Sequence, residues 1–268
     1  MDNGSLRPEP TLKLRALAAE LSRRIGCPVH PVSLLHSAKV DPAELCGEPA
    51  TVLEAFFRSR IAGGVNCFTV LPLFLGPSRA ITDYVPQLVQ EAQKTCSGLR
   101  VRIADPLAGA DPAAPDPRLA EMVADQVRRT ISEVSMERPR VALVDHGSPV
   151  EPVTQVRNAV ADQLRGILGE AVRDVRACSM ERREGPEYAF NEPLLERVYG
   201  EDGAVGGDLV AAMFFLLPGR HAGSGGDVAG ICAGLLDRGA FERIRMTGLL
   251  AEDPRLLDIL EDRLNAAR

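Results

Sequence analysis

The sequence predicts an α/β protein built from two similar lobes, each with a parallel sheet covered by helices. Strand-like apolar segments alternate with helical patterns along the chain, which is typical of parallel sheets. Short motifs also recur between the halves. Asp2-Asn-Gly-Ser5 matches Asp145-His-Gly-Ser148, and Asp116-Pro-Arg-Leu119 matches Asp253-Pro-Arg-Leu256. The repeat predicts lobes at about 1–137 and 138–268.

The composition is that of a globular protein without nucleic-acid or membrane partners. Of the 268 residues, 45% are hydrophobic and 25% are charged, as in ordinary soluble proteins. The net charge of −6 argues against a general nucleic-acid binder. No apolar run reaches the roughly 18 residues that cross a bilayer, and the first residues do not resemble a signal peptide. Six separated cysteines without a CxxC pair fit reduced thiols. These features predict a cytoplasmic protein.

The first half alternates helical patterns with apolar segments. We expect helices at 11–25, from Pro49 to about 61, at 83–95 and at 118–133, and strands at 28–36, 67–75 and 99–104. The proline-rich loop 105–117 is the natural linker. No strand precedes the motif at Asp2, so the first lobe is predicted to lack its opening strand, through a late start or a real loss. An exposed edge beside 28–36 would invite pairing with another chain.

The second half repeats this order and includes the opening strand. We expect strands at 140–145, 173–180, 208–217 and 242–246, and helices at 153–168, 227–237 and 254–266. A further helix is expected to begin at Asn191, with Pro193 just inside it. The segment Val141–Val144 is apolar throughout, which favours a strand buried on both faces.

Three candidate metal ligands follow strands of the second half. His146 ends the first strand, Glu181 the second, and His221 follows the third. Ligands bind at the carboxyl ends of strands in open α/β sheets. Two imidazoles and a carboxylate suit Fe²⁺, Co²⁺, Ni²⁺ or Zn²⁺. The alignment of the halves places Asn3, His36 and Ala80 at the matching positions, so one site is expected, in the second lobe.

Simpler interpretations of the same residues stay open at this point. His146 could be an ordinary polar group at a strand end, Glu181 part of a surface charge cluster, and His221 a solvated turn residue. The glycine-rich loop 219–226 could cradle a phosphate through its backbone amides. It lacks the spacing of a P-loop or a dinucleotide-binding loop, so nucleotide binding is weakly indicated.

The sequence resembles the class II chelatases of the sirohydrochlorin cobaltochelatase and ferrochelatase group. The resemblance rests on Asp145-His146-Gly-Ser148, on Met213-Phe-Phe-Leu216 followed by His221, and on Leu71-Pro-Leu-Phe-Leu75. It implies two flavodoxin-like lobes with the tetrapyrrole in the cleft between them. It also implies that His146 and His221 bind the metal and that Glu181 assists. The first lobe departs from the family pattern at Asn3 and Ala80.

The resemblance implies insertion of Co²⁺ or Fe²⁺ into sirohydrochlorin, in siroheme or cobalamin-type biosynthesis. The metal is then a substrate, Ni²⁺ is also compatible, and no organic cofactor is expected. Arg182, Arg183 and Arg220 are candidate anchors for the tetrapyrrole carboxylates. A chelatase for another tetrapyrrole and a non-catalytic tetrapyrrole or metal carrier are the alternatives. The sequence is compatible with a monomer or a homodimer.

Overall fold

A computed structural model describes residues 1–199, 206–223 and 225–268. The chain forms two compact units, one of residues 1–110 with 256–268 and one of residues 111–255. Parallel strands alternate with helices in the second unit, as the predicted fold class requires. The division into units differs from the predicted boundary at 137 and 138. The cause is the packing of two helices, which are described with their units below.

The first unit contains two parallel strands and several helices. Its strands are β1 (Cys67–Val70) and β2 (Arg100–Ile103), and its helices are α1 (Pro8–Ile25), α2 (Leu53–Ala62) and α3 (Val85–Thr95), with a π-helical turn at Ala80–Tyr84 before α3. An apolar cluster that includes Leu53, Phe57 and Val85 forms its core. The last helix of the chain completes this unit.

The strand predicted at 28–36 is wrong as a regular strand. Within the described chain this segment pairs through single bridges at Ser33, to Asp2 on one side and Val52 on the other. Pro28 and Pro31 contribute to this outcome, because proline has no N–H to donate to a ladder. The predicted strand 67–75 ends at Val70, shortly before Pro72.

The second unit is built on a four-stranded parallel sheet. Its elements are α4 (Pro117–Val134), β3 (Arg140–Asp145), α5 (Glu151–Leu168), β4 (Asp174–Ser179), β5 (Asp208–Met213), α6 (Asp227–Asp237) and β6 (Arg243–Met246). The strand order is β4-β3-β5-β6. The central strand β3 is fully buried from Val141 to Val144, which matches its apolar sequence.

Two helices explain the composition of the units. Helix α4 packs in the second unit, where the Gln126 side-chain amide donates to the Leu249 carbonyl at 3.1 Å. The last helix, α7 (Arg255–Ala266), joins the first unit from Leu256 onward. There Arg263 Nη2 donates to the Leu107 carbonyl at 2.9 Å. The repeat predicted that α4 belongs to the first lobe and α7 to the second. In the structure α4 belongs to the second unit, and α7 belongs to the first from Leu256 onward.

The internal repeat is visible in the backbone hydrogen bonds of each unit. In the second unit the Phe214 N–H donates to the Val144 carbonyl at 2.8 Å, and in the first the Leu73 N–H donates to the Met1 carbonyl at 2.7 Å. The register also repeats, because Cys67 pairs with Arg100 as Asp208 pairs with Arg243. None of the helices in the described residues is long and apolar enough to cross a membrane.

Candidate metal and active site

The sheet of the second unit gathers the three predicted ligands at one edge. Strands β3, β4 and β5 are parallel and in register, so their carboxyl ends lie side by side. His146 directly follows β3, Glu181 comes two residues after β4, and His221 lies between β5 and α6. The order of these elements therefore positions all three side chains.

The two imidazoles lie against each other, with the carboxylate beside them. The ring centroids of His146 and His221 are 4.5 Å apart, with their planes at 78°. Glu181 Oε1 is 3.5 Å from His146 Nε2. The three side chains are 45%, 33% and 59% exposed in the order His146, His221, Glu181, so solvent and a substrate reach them. No group of three or more His, Cys, Asp or Glu side chains among the described residues has the geometry of a complete metal site.

Hydrogen bonds fix which nitrogen of each ring carries the proton. His146 Nδ1 is 3.1 Å from the Gly147 carbonyl oxygen. His221 Nδ1 is 2.6 Å from the Asp227 carboxylate. A carbonyl and a carboxylate oxygen accept hydrogen bonds, so each Nδ1 is the donor. In the neutral rings the Nε2 atoms therefore keep their lone pairs, which is the form that binds a metal.

Asp227 is a functional candidate that the sequence analysis missed. It is the first residue of α6 and follows His221 by six positions. A carboxylate behind a metal-facing imidazole orients the ring and makes it a better ligand. The available signal was an acidic residue just after a glycine-rich loop that carries a candidate ligand.

Gly147 allows the chain to turn immediately after His146. Its φ is +92°, and a Cβ at this position would lie 2.0 Å from the Glu181 carbonyl oxygen. Glycine is the residue that adopts this conformation and tolerates so close an approach. The glycine thus brings the backbone segments of His146 and Glu181 together.

A buried polar network supports the loop beneath the histidines. Arg157, which is 1% exposed, is 3.2 Å from the Asp145 carboxylate and also bonds the Ser179 hydroxyl. Asn191 is fully buried, and its side chain bonds both the N–H and the carbonyl of Ser148, at 2.8 and 2.9 Å. The predicted helix from Asn191 is wrong, because Asn191 ends a short 3-10 helix and its side chain serves this network.

The three arginines predicted as substrate anchors have different surroundings. Arg182 forms an ion pair with Glu192 at 2.6 Å and donates to the Gly185 carbonyl, so its guanidinium is engaged within the protein. Arg183 is exposed and lies over the Tyr188 ring at 5.8 Å. Arg220 is 78% exposed and 3.6 Å from Asp227, next to His221.

The first unit has a different set of residues at the equivalent positions. The Leu35 N–H donates to the Asn3 carbonyl, as the Glu181 N–H donates to the His146 carbonyl. Leu35 is therefore the counterpart of Glu181, and the alignment of His36 with Glu181 was wrong by one residue. His36 adopts a φ of +65° and is exposed.

Comparisons with known proteins agree with this architecture. The family model CbiX matches residues 1–130, a range that does not include His146, Glu181 or His221. None of the curated proteins matches the sequence.

Solved structures extend the likeness to the whole chain. A structure described as SirB from Bacillus subtilis with Fe³⁺ is 17% identical, with a TM-score of 0.68 over 99% of this chain and 92% of that one. The sirohydrochlorin chelatase SirB from Bacillus subtilis subspecies spizizenii, in complex with cobalt, is 15% identical, with a TM-score of 0.63 over 99% and 92%. CbiX, described as the terminal enzyme for biosynthesis of siroheme in denitrifying bacteria, is 16% identical, with a TM-score of 0.59 over 100% and 97%. Residues 1–130 therefore match the CbiX family model, and the whole length of the chain has the fold of these solved chelatase structures.

Proposed function

We propose that this protein is a chelatase that inserts Co²⁺ or Fe²⁺ into sirohydrochlorin or a closely related tetrapyrrole. The observation that carries the proposal is the pair of neighbouring imidazoles, His146 and His221, whose Nδ1 atoms are both held by oxygen atoms. Two unprotonated Nε2 atoms form a ready pair of ligands for a borderline divalent metal. The family match and the chelatase fold support the same reaction class.

The site suits a metal that is a substrate. Two imidazoles and one carboxylate leave positions open in a metal ion's coordination sphere, where the tetrapyrrole nitrogens enter. A cobalt complex and an Fe³⁺ complex are described for the two SirB structures. Co²⁺ and Fe²⁺ are therefore the first metals to test. Ni²⁺ is compatible with the same ligands.

The proton balance of insertion fits these residues. Two pyrrole N–H bonds break, two protons leave, and four nitrogen atoms bind the metal. When the metal moves to the macrocycle, the His146 and His221 Nε2 lone pairs become free to accept those protons. Glu181, at 3.5 Å from His146 Nε2 and 59% exposed, can take a proton from the imidazole and pass it to solvent.

Two exposed arginines follow the same strand ends as the candidate ligands and could bind an anionic substrate. Arg183 and Arg220 are exposed, and Arg220 is next to His221 in sequence. We propose that these two guanidiniums bind carboxylates of the tetrapyrrole. Arg182 is held within the loop by its ion pair with Glu192. We therefore propose that it supports the loop and does not contact the tetrapyrrole directly.

A direct assay tests the function. Anaerobic mixing of the protein with sirohydrochlorin and Co²⁺ should change the tetrapyrrole absorbance much faster than metal and tetrapyrrole alone. Glu181→Gln should slow the reaction more than it weakens metal binding, because His146 and His221 remain to hold the metal. If the protein binds both substrates without accelerating insertion, the carrier alternative replaces the chelatase. If it accelerates insertion into a porphyrin and not into sirohydrochlorin, the substrate assignment is wrong.

A further inference from the structure

Helix α5 of the second unit has a full counterpart in α1 of the first. Both helices have 18 residues, and a glycine follows each of them directly. The offset between the two helices is also the offset between Asp2 and Asp145. The carbonyls of these two aspartates accept in the same way, from the N–H groups of Leu34 and Met180. The units can therefore be compared residue by residue from the aspartate to the end of the helix.

The turn after the aspartate is the same in both units. Gly4 and Gly147 have φ values of +86° and +92°, and an added Cβ would strike a backbone carbonyl oxygen in each case. A serine side chain also hydrogen-bonds the aspartate in both units, Ser33 in the first and Ser179 in the second. The fold therefore forms this turn from an aspartate, a glycine and a serine that both units have.

Arg157 is a residue of α5 that has no arginine as its counterpart. The equivalent residue of α1 is Leu14, which is buried. One carboxylate oxygen of Asp2 accordingly has no hydrogen-bond partner among the described residues, although Asp2 is only 6% exposed. The first unit also has Asn3 in place of His146. The unit without the candidate metal ligands therefore lacks the arginine as well.

The first unit ties its helix to the following segment through a different arginine. Arg15 of α1 donates to the carbonyls of Leu45 and Glu48 at 2.8 and 2.7 Å. A tie between helix and loop is thus available to the fold without any contact to the aspartate. What Arg157 adds in the second unit is a contact at the carboxyl end of β3, directly before the metal-facing histidine.

The contacts of Arg157 join three chain segments beneath the candidate ligands. Its Nη1 atom donates to the Asp145 carboxylate at 3.2 Å, to the Ser179 hydroxyl and to the Asn191 carbonyl at 3.4 Å. These acceptors lie at the end of β3, at the end of β4 and at the end of the short 3-10 helix. Nε and Nη2 donate to the Asn158 side chain at 3.1 and 2.9 Å, so the guanidinium is held on both edges.

We propose that Arg157 is a positioning residue for metal binding, because it holds the end of β3 where the His146 imidazole reaches the metal. A binding site needs its ligands within about 0.5 Å of their productive positions, a precision that the fold alone does not demand. Arg157 is 1% exposed, so it acts through Asp145 and the backbone and contacts neither metal nor tetrapyrrole. The inference rests on the proposed function, since it takes His146 as a metal ligand.

The test replaces Arg157 by leucine, the residue that the first unit has at this position, and measures Co²⁺ binding without tetrapyrrole. We expect the dissociation constant for Co²⁺ to rise about 10-fold, as for other residues behind metal ligands. The visible absorption bands of the bound Co²⁺ should also change, because they depend on where its ligands lie. In insertion assays the KM for Co²⁺ should rise, and the KM for the tetrapyrrole should stay constant.

Two further variants separate positioning from a loss of stability. Leu164→Ala removes a fully buried side chain about two turns farther along α5. It should lower the melting temperature and leave Co²⁺ affinity unchanged. The double variant Asp145→Asn/Arg157→Leu removes both members of the buried ion pair, so no charge is left buried without a partner. It should regain part of the stability lost in Arg157→Leu and still bind Co²⁺ weakly.

Each contrary result has a distinct meaning. Equal Co²⁺ affinity and spectra for the wild type and Arg157→Leu would overturn the inference and leave the proposed function in place. A loss of affinity in Leu164→Ala as large as in Arg157→Leu would overturn it too, because lower stability would then explain both. Full Co²⁺ affinity in the double variant would reduce Arg157 to neutralising Asp145. A wild-type protein that does not bind Co²⁺ would contradict the proposed function itself.

Discussion

The imidazole tautomers are the most specific feature of the site at the scale of single residues. Both Nδ1 atoms donate to oxygen, which leaves both Nε2 atoms to bind a metal ion. The two hydrogen bonds differ in strength, because a charged carboxylate is a stronger acceptor than a neutral carbonyl. We therefore propose that Asp227 is a positioning residue that acts on the metal through His221.

Replacing Asp227 by asparagine should weaken metal binding. An amide can present its NH₂ group to Nδ1 and so favour the tautomer with the proton on Nε2. We expect metal affinity to fall about 10- to 100-fold. In steady-state assays the KM for the metal should rise, and the KM for the tetrapyrrole should stay constant. The control is Asp237→Asn, at the exposed end of the same helix. Equal effects of the two variants would contradict the role of Asp227.

Gly147 should be sensitive to a single added carbon atom. Gly147→Ala puts a Cβ against the Glu181 carbonyl in a left-handed backbone conformation. We expect a loss of about 1–3 kcal/mol in the free energy of unfolding. Gly166→Ala is the matched control, since Gly166 lies within α5 and its Cβ would meet open space. Urea unfolding curves of both variants check this, and a Gly147 variant as stable as the wild type would refute it.

At the scale of elements, the loop after β4 is held by a charge cluster. Burial alone would raise the pKa of Glu192, but hydrogen bonds from Arg182 and Arg197 outweigh it and hold the pKa below its usual value. A carboxylate with a lowered folded-state pKa stabilises the protein above its unfolded-state pKa of about 4.3. That contribution is lost as the pH falls through the lowered value.

The variant Glu192→Gln should therefore be less stable than the wild type at neutral pH and show a flatter loss of stability on acidification. Urea midpoints at about pH 7 and below about pH 4 measure this. Glu196→Gln serves as the control, because Glu196 is an exposed neighbour on the same loop. A Glu192 variant whose midpoint falls with pH as steeply as that of the wild type would contradict the account.

Regular elements with a strong sequence signal were predictable, and irregular ones were not. Strand β3 and helix α6 have the predicted bounds, because uniform burial and helical periodicity leave clear patterns. Asn191 looked like a helix cap, since its type and the following proline fit one. Besides the nearby Tyr188 carbonyl, its side chain bonds Ser148 and Thr154, more than 30 positions away in sequence, and local pattern does not report such contacts.

The candidate site was also predictable only in part. His146, Glu181 and His221 were predicted because each closes a parallel strand, and topology alone brings strand ends together. Asp227 and Arg157 were missed, because an acidic residue at a helix start and an arginine within a helix have common solvent-exposed interpretations. Their roles depend on contacts formed in the folded chain, between Asp227 and His221 Nδ1 and between Arg157 and Asp145.

At the scale of the whole molecule, the repeat predicted the two-part architecture, but packing determines which helices belong to which unit. Helix α7 contributes buried side chains to the first unit, including Ile259, Leu260 and Leu264. Each fully buried aliphatic side chain contributes about 1.5–3 kcal/mol. The sequence repeat could not show this, because periodicity identifies the apolar face of a helix and not its partner.

Removal of residues 256–268 should therefore destabilise the first unit selectively. Hydrogen exchange should accelerate within residues 1–110, where α7 packs, and change little in strands β3 to β5. Removal of Ala267 and Arg268 alone is the control and should have a small effect. Faster exchange in the second unit instead would show that α7 supports residues 111–255.

The central claim is that His146 and His221 together deliver the metal to the tetrapyrrole. The most direct test is the anaerobic rate of Co²⁺ insertion into sirohydrochlorin, followed by absorbance, for the wild type, His146→Ala, His221→Ala and His36→Ala. All four should have the same circular dichroism and similar melting temperatures, because the three side chains are not in the core. We expect each of the first two variants to lose at least about 100-fold in rate and His36→Ala to retain the wild-type rate. Full activity of His146→Ala or His221→Ala, or a loss in His36→Ala as large as theirs, would contradict the account.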